Sequence, residues 1–104
     1  MTTLSFHVLD LVLGRPAAGL DLRVALPDGG SVALTTDADG RARVPDEVTA
    51  GEGAVTFETG AWFDAQGRER FHPVVEVRFP VTAGEHHHIA LVLSPFGYTT
   101  YRGS

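Results

Sequence analysis

The chain has no cysteine and no lysine. Without cysteine there are no disulfide staples and no thiolate chemistry. Without lysine there is neither a Schiff-base nitrogen nor an amine general base. All eight basic residues are therefore arginines, planar forks that stay protonated. The formal net charge of −5 argues against nucleic-acid binding. No Gly-x-Ser-x-Gly nucleophile turn and no phosphate-binding loop occurs. The opening Met1-Thr2-Thr3-Leu4-Ser5-Phe6-His7 has no basic n-region and no long apolar stretch, so neither a signal peptide nor a membrane span is expected. The final Arg-Gly-Ser is not a peroxisomal or retention address. A chain without cysteine suits a reducing compartment, and the expectation is a cytoplasmic protein.

What is present is turn chemistry and alternation. A chain of 104 residues fits one domain, residues 1–104, with enough buried surface for a core. Turn signals recur about every 8 to 12 residues, the spacing of an all-β sandwich or barrel. Strands are expected over about 3–10, 20–27, 31–36, 41–44, 54–58, 73–80, 86–93 and 97–103. Gly14-Arg15-Pro16, Asp28-Gly29-Gly30 and Asp37-Ala38-Asp39-Gly40 read as turns, and 45–53 as a loop. One short helix is expected over 59–67, capped by Thr59 and stopped by Gly67. No internal repeat or linker is visible.

Alternation assigns faces. In the first strand Leu4, Phe6 and Val8 form the better core face, which turns Ser5, His7 and Leu9 outward. Near the end, Ile89, Leu91 and Leu93 point inward, while His86, His88, Ala90 and Val92 share the outer face. An outer face that mixes histidine with apolar residues is the composition of a contact between copies. The ending Tyr98-Thr99-Thr100-Tyr101-Arg102-Gly103-Ser104 reads as a final strand, either an edge that completes a sheet or, more sharply, one built into a binding site. Thr99, Tyr101 and Gly103 share one side of it, Arg102 and Ser104 the other.

Five histidines stand out, three of them consecutive. His86 and His88 lie two apart on one face, a spacing zinc sites use, with His7 as a conceivable third ligand. No carboxylate or carbonyl second shell is visible beside them, so no metal is expected. His86 and His87 read equally well as solvated residues where a strand begins. Arg41 and Arg43 share a face beyond the Asp-Gly turn, and as a bland alternative are simply solvated. Arg15, Arg68 and Arg70 read as surface, and His72 has no evident partner.

Three segments together carry a family resemblance: Leu4-Ser5-Phe6-His7-Val8-Leu9-Asp10 with Gly14-Arg15-Pro16-Ala17, then Thr36-Asp37-Ala38-Asp39-Gly40-Arg41, then Glu85-His86-His87-His88-Ile89 with Tyr98 to Ser104. The chain resembles the 5-hydroxyisourate hydrolases, transthyretin-related enzymes of urate breakdown, over essentially its whole length. The terminal Tyr-Arg-Gly-Ser is the most specific part. The resemblance implies a transthyretin-like sandwich of two four-stranded antiparallel sheets with one short helix. It implies a homotetramer, a dimer of dimers, with sites in a channel between dimers. The implied activity is cofactor-free ring opening of 5-hydroxyisourate to 2-oxo-4-hydroxy-4-carboxy-5-ureidoimidazoline. The family's functional positions fall on His7, Arg41, His88, Tyr101, Arg102, Gly103 and Ser104. His7 and His88 would orient and deprotonate water, Arg41 would bind ring oxygens, and Tyr101 would wall the pocket. Two positions depart from the pattern: His87, where the family often has tyrosine, and His72, where an aromatic is frequent. The rivals are a transthyretin-like carrier of a small ligand, a structural sandwich domain and a zinc hydrolase.

Overall fold

The structure is a computed structural model that describes residues 1–104. Its strands are β1 (Thr3–Asp10), β2 (Arg15–Pro16), β3 (Asp21–Ala25), β4 (Ser31–Thr35), β5 (Arg41–Arg43), β6 (Gly51–Phe57), β7 (Val75–Val81), β8 (His86–Ser94) and β9 (Gly97–Gly103). The one helix, α1 (Thr59–Asp64), lies between β6 and β7. None of its helices is long and apolar enough to cross a membrane.

The strands form two sheets, as a sandwich requires. One runs β4-β3-β6-β7 and is antiparallel throughout. The other runs β2-β1-β8-β9, with β5 also paired to β1, so it has five strands. This sheet departs from the expected antiparallel pattern, because β1 and β8 run parallel from Thr3↔His86 to Asp10↔Leu93. A parallel pair needs a long crossover, and here the whole second sheet supplies it. Alternation reports which face a residue takes, not which way a strand runs, so the sequence left this open.

The interior follows the alternation. Leu4, Phe6 and Val8 of β1 are fully buried. They join Ile89, Leu91 and Leu93 of β8 and Leu22, Val24, Val55 and Phe57 of the facing sheet in one cluster. The rings of Phe6 and Phe57 meet edge-on across the sandwich, 6.2 Å apart at 80°.

Several expectations need correction. The segment at Arg15-Pro16 is not only a turn, since it pairs with Leu9 and Asp10. Strand β6 begins at Gly51, inside the expected loop. The helix is shorter than expected and Thr59 does not cap it. Glu58 takes the cap position without a side-chain bond, and the Thr59 hydroxyl is buried without a partner. What holds the helix start is its packing: the Gly60 N–H donates to Pro73 O at 3.0 Å, and a Cβ on Gly60 would lie 2.6 Å from that oxygen.

Arg68 is not a free surface residue. Its guanidinium donates to the carboxylate of Asp10 at 2.7 Å, and the Asp10 side chain is only 1% exposed. The same guanidinium lies over the Phe63 ring at 4.9 Å. Burial pushes the Asp10 carboxyl up, but the hydrogen bonds from Arg68 and the Leu13 N–H outweigh it and hold the group below its ordinary value.

Candidate functional site

The site grows from the outer face of the mixed sheet. Pairing registers place Arg41 opposite His7, and Arg43 opposite Ser5, across β1 and β5. On the other side of β1, His7 lies opposite Ala90 and Ser5 opposite His88. One strand further, Ala90 faces Tyr101 and His88 faces Gly103. Cross-strand partners share a face. Two rows therefore cross the sheet, Arg41–His7–Ala90–Tyr101 and Arg43–Ser5–His88–Gly103.

A tight turn aims the first row. Asp37 Oδ1 accepts the N–H groups of Asp39 and Arg41, both at 2.9 Å. Gly40 sits at φ +73°, and a Cβ there would run into the Val8 carbonyl. Only glycine fits this approach of the turn to β1. The turn then presents Asp39 O to His7 Nε2 at 3.0 Å. A carbonyl only accepts, so His7 Nε2 carries the proton, and in the neutral ring Nδ1 is bare.

Histidine 88 is held from its other side. Its Nδ1 lies 2.7 Å from Ser5 Oγ, which also lies 2.9 Å from His86 Nε2. His86 Nδ1 in turn lies 2.6 Å from Thr3 Oγ1. The His7 and His88 ring centres are 6.2 Å apart, and those of His86 and His88 6.5 Å. Burial, then the nearby His7, Arg41 and His86, push the His88 imidazole below its ordinary value and favour the neutral ring. No intramolecular ion pair involves Arg41, which leaves its guanidinium available.

Beside these groups opens a cleft of about 560 Å³, lined among others by Ser5, Arg41, Arg43, His86, His88 and Ser104. His7 does not line it but adjoins it through His88. Gly103 lies against His88 so closely that a Cβ would strike the ring. Tyr101 is on the His7 side of the sheet and half-exposed. Arg102 does not join this group. It lies opposite the inward-facing Ile89 and pairs with Glu85 at 3.1 Å.

The remaining histidines have other duties. His87 is buried and is not a solvated start of a strand. Its Nε2 accepts the Thr82 N–H at 2.9 Å, so Nδ1 carries the proton toward Thr3 O at 3.2 Å. It clips the start of β8 to β1. His72 packs edge-on between Phe71 and Tyr98, with ring centres 4.9 and 5.2 Å away. No three His, Cys, Asp or Glu side chains are arranged to hold a metal ion. Both nitrogens of His86 are already engaged by hydroxyls. Sequence reasoning placed Ser5 on this face but gave it no role, and missed Thr3 and the Asp39 carbonyl. The regular spacing of Thr3, Ser5 and His7 was the one available signal.

Residues 4–103 match the sequence profile of the HIUase/Transthyretin family. The 5-hydroxyisourate hydrolase of Caulobacter vibrioides is 40% identical, over the full length of both chains. Among solved structures, 5-hydroxyisourate hydrolase of Klebsiella pneumoniae superposes with a TM-score of 0.89 at 37% identity, covering 100% of this chain and 94% of that one. Sea bream transthyretin in complex with thyroxine superposes at 0.82, also at 37% identity, covering 96% and 93%. With the profile spanning nearly every residue and both kinds of relative sharing the sandwich, this chain belongs to the HIUase/Transthyretin family.

Proposed function

We propose that this protein hydrolyses 5-hydroxyisourate, opening its lactam ring to 2-oxo-4-hydroxy-4-carboxy-5-ureidoimidazoline. The observation that carries this reading is the juxtaposition of two imidazoles, His7 and His88, with the unpaired guanidinium of Arg41. Each imidazole keeps one nitrogen without a partner in the chain, Nδ1 of His7 and Nε2 of His88. These two orient a water molecule and take its proton, a contribution worth typically 10²–10⁴-fold. The water oxygen bonds to the lactam carbonyl carbon and the C–N bond breaks. The ring nitrogen leaves with a proton returned from an imidazole. Arg41 binds ring oxygens and stabilises the charge that develops on the carbonyl, worth roughly 3 kcal/mol by analogy with one oxyanion-hole donor.

Tyr101, Gly103 and Ser104 complete the substrate site in this reading, and Arg102 holds the strand that carries them. Tyr101 walls it, Gly103 leaves room for His88, and Ser104 borders the cleft. Arg102 anchors the last strand through Glu85. The outer face, with its half-buried Leu9 and Val92, packs against other copies in a homotetramer, a dimer of dimers. The reaction runs in the cytoplasm, needs no cofactor and involves neither nucleic acid nor membrane.

The test mixes the protein with freshly oxidised urate and follows the ultraviolet decay of the intermediate, with and without chelator. Decay far faster than the spontaneous rate, unaffected by chelator, is expected. A carrier would leave the spontaneous rate unchanged, and a zinc hydrolase would slow when chelated.

A further inference from the structure

Four side chains run in a hydrogen-bonded line along the sheet: Thr3, His86, Ser5 and His88, at successive distances of 2.6, 2.9 and 2.7 Å. Ser5 is the decisive member. Its hydroxyl has one proton, yet it contacts a ring nitrogen on either side. It can donate to only one of them, and it accepts from the other or, with its own proton turned to solvent, from both. Two states keep every bond with Ser5 donating to an imidazole. In the first, His88 Nδ1–H donates to Ser5, Ser5 donates to His86 Nε2, and His86 Nδ1–H donates to Thr3. In the second, all three donors and acceptors are reversed. The first leaves His88 Nε2 bare, and the second leaves it protonated.

We infer that Ser5 and His86, with Thr3 holding the His86 ring, form a proton relay that lets His88 act first as base and then as acid without remaining charged. The relay rests on the hydrolytic reading above. It begins in the first state. Water gives a proton to His88 Nε2 while the Nδ1 proton moves to Ser5 and the Ser5 proton moves to His86 Nε2. The positive charge now sits on His86, which is exposed and better solvated than His88. Burial first, and then nearby His7 and Arg41, disfavour charge on His88, so the transfer runs outward to the exposed ring. When the C–N bond breaks, His88 Nε2 gives its proton to the leaving nitrogen. The same relay then runs in reverse, and His86 returns its proton through Ser5 to His88 Nδ1. Both imidazoles end as they began. Ser5 and His86 are positioning residues that act through His88, and Thr3 fixes the His86 ring.

The experiment compares wild type with Ser5→Ala, His86→Ala and the double variant in the urate-oxidation assay, with thermal unfolding as the check on folding. Each single variant should lower kcat at least about 10-fold with KM unchanged, a modest part of the usual acid–base contribution. The double variant should lose no more than the worse single one, because the two act in series. Added imidazole should restore His86→Ala, whose vacated site opens to solvent, but not Ser5→Ala. Should Ser5→Ala fail to fold, the imidazole response of His86→Ala decides alone. A His86→Ala variant with wild-type kcat, or one indifferent to imidazole, overturns the relay. A wild-type protein that leaves the intermediate to decay spontaneously overturns the hydrolytic reading instead.

Discussion

The His88 ring occupies the space that any side chain at position 103 would need. Gly103 is its cross-strand partner, and a Cβ there would collide with the ring's carbon edge. The glycine in the final strand is thus a steric requirement of the histidine, imposed by residues far apart in sequence. Gly103→Ala should displace the ring. A shift of about 1 Å at a reacting group costs on the order of 10²-fold. Steady-state turnover should therefore fall strongly while the melting temperature moves little. Unchanged turnover would show that the ring has room to spare.

His7→Ala, Arg41→Ala and His88→Ala should each reduce turnover at least about 100-fold, within the range of acid–base and oxyanion contributions. Each variant should still fold, since none of the three is a core residue. Turnover and thermal unfolding measured on the same samples check both halves. Near-normal turnover in His7→Ala would remove it from the base assignment.

The protonation of His88 can be followed directly by NMR titration. Its midpoint should lie below the ordinary 6.5, for the burial and the cationic neighbours described above. For a histidine with a depressed value, the unfolded chain binds the proton more readily. Its contribution to stability is then present above pH 6.5 and is lost as pH falls through the folded-state value. The acid limb of activity should sit on the same side. Arg41→Gln removes one repelling charge, so the His88 midpoint should rise in that variant. A midpoint that stays put would mean Arg41 does not act on this ring.

Arg68→Ala leaves the buried Asp10 carboxylate without its cation. Breaking a buried pair from one side costs about 3 to 5 kcal/mol, and the partly exposed Arg68 places this one toward the lower end. Urea unfolding at neutral pH should show the loss. The Asp10 value is depressed, so the pair's contribution is present above pH 3.8 and fades as pH falls through the folded-state value. The difference between wild type and variant should shrink accordingly in acid. A constant difference down to pH 2 would point to the lost Phe63 stacking instead.

Removing Arg102 to Ser104 tests whether the last strand belongs to the site. The deletion takes away the Glu85 ion pair, the glycine beneath His88 and the Ser104 border of the cleft. Turnover should fall while the sandwich still melts cooperatively. A fully active truncated protein would make the ending dispensable.

Much of this was legible in the chain itself. Period-two alternation in Leu4–Val8 and Ile89–Leu93 fixed which side chains fill the core, and so turned His7 and His88 outward. The Asp-Gly turn before Arg41 announced its own geometry, because only glycine tolerates that approach to the backbone. Composition excluded cysteine and lysine chemistry outright. These are local properties, written in neighbouring residues. The parallel pairing of β1 with β8 was not legible, because alternation is the same in either direction. That pairing alone sets Ser5 beside His88 and Thr3 beside His86, and an antiparallel register would scatter them. Arg68 read as surface because its partner, Asp10, lies 58 positions away. The hydroxyl–imidazole line, the buried ion pair and the fit of Gly103 to His88 all depend on which distant segments touch. Sequence decides what each residue can do and which way it faces, while tertiary contact decides what stands opposite it, since hydrogen bonds and steric exclusion act over a few ångströms of space whatever the separation along the chain.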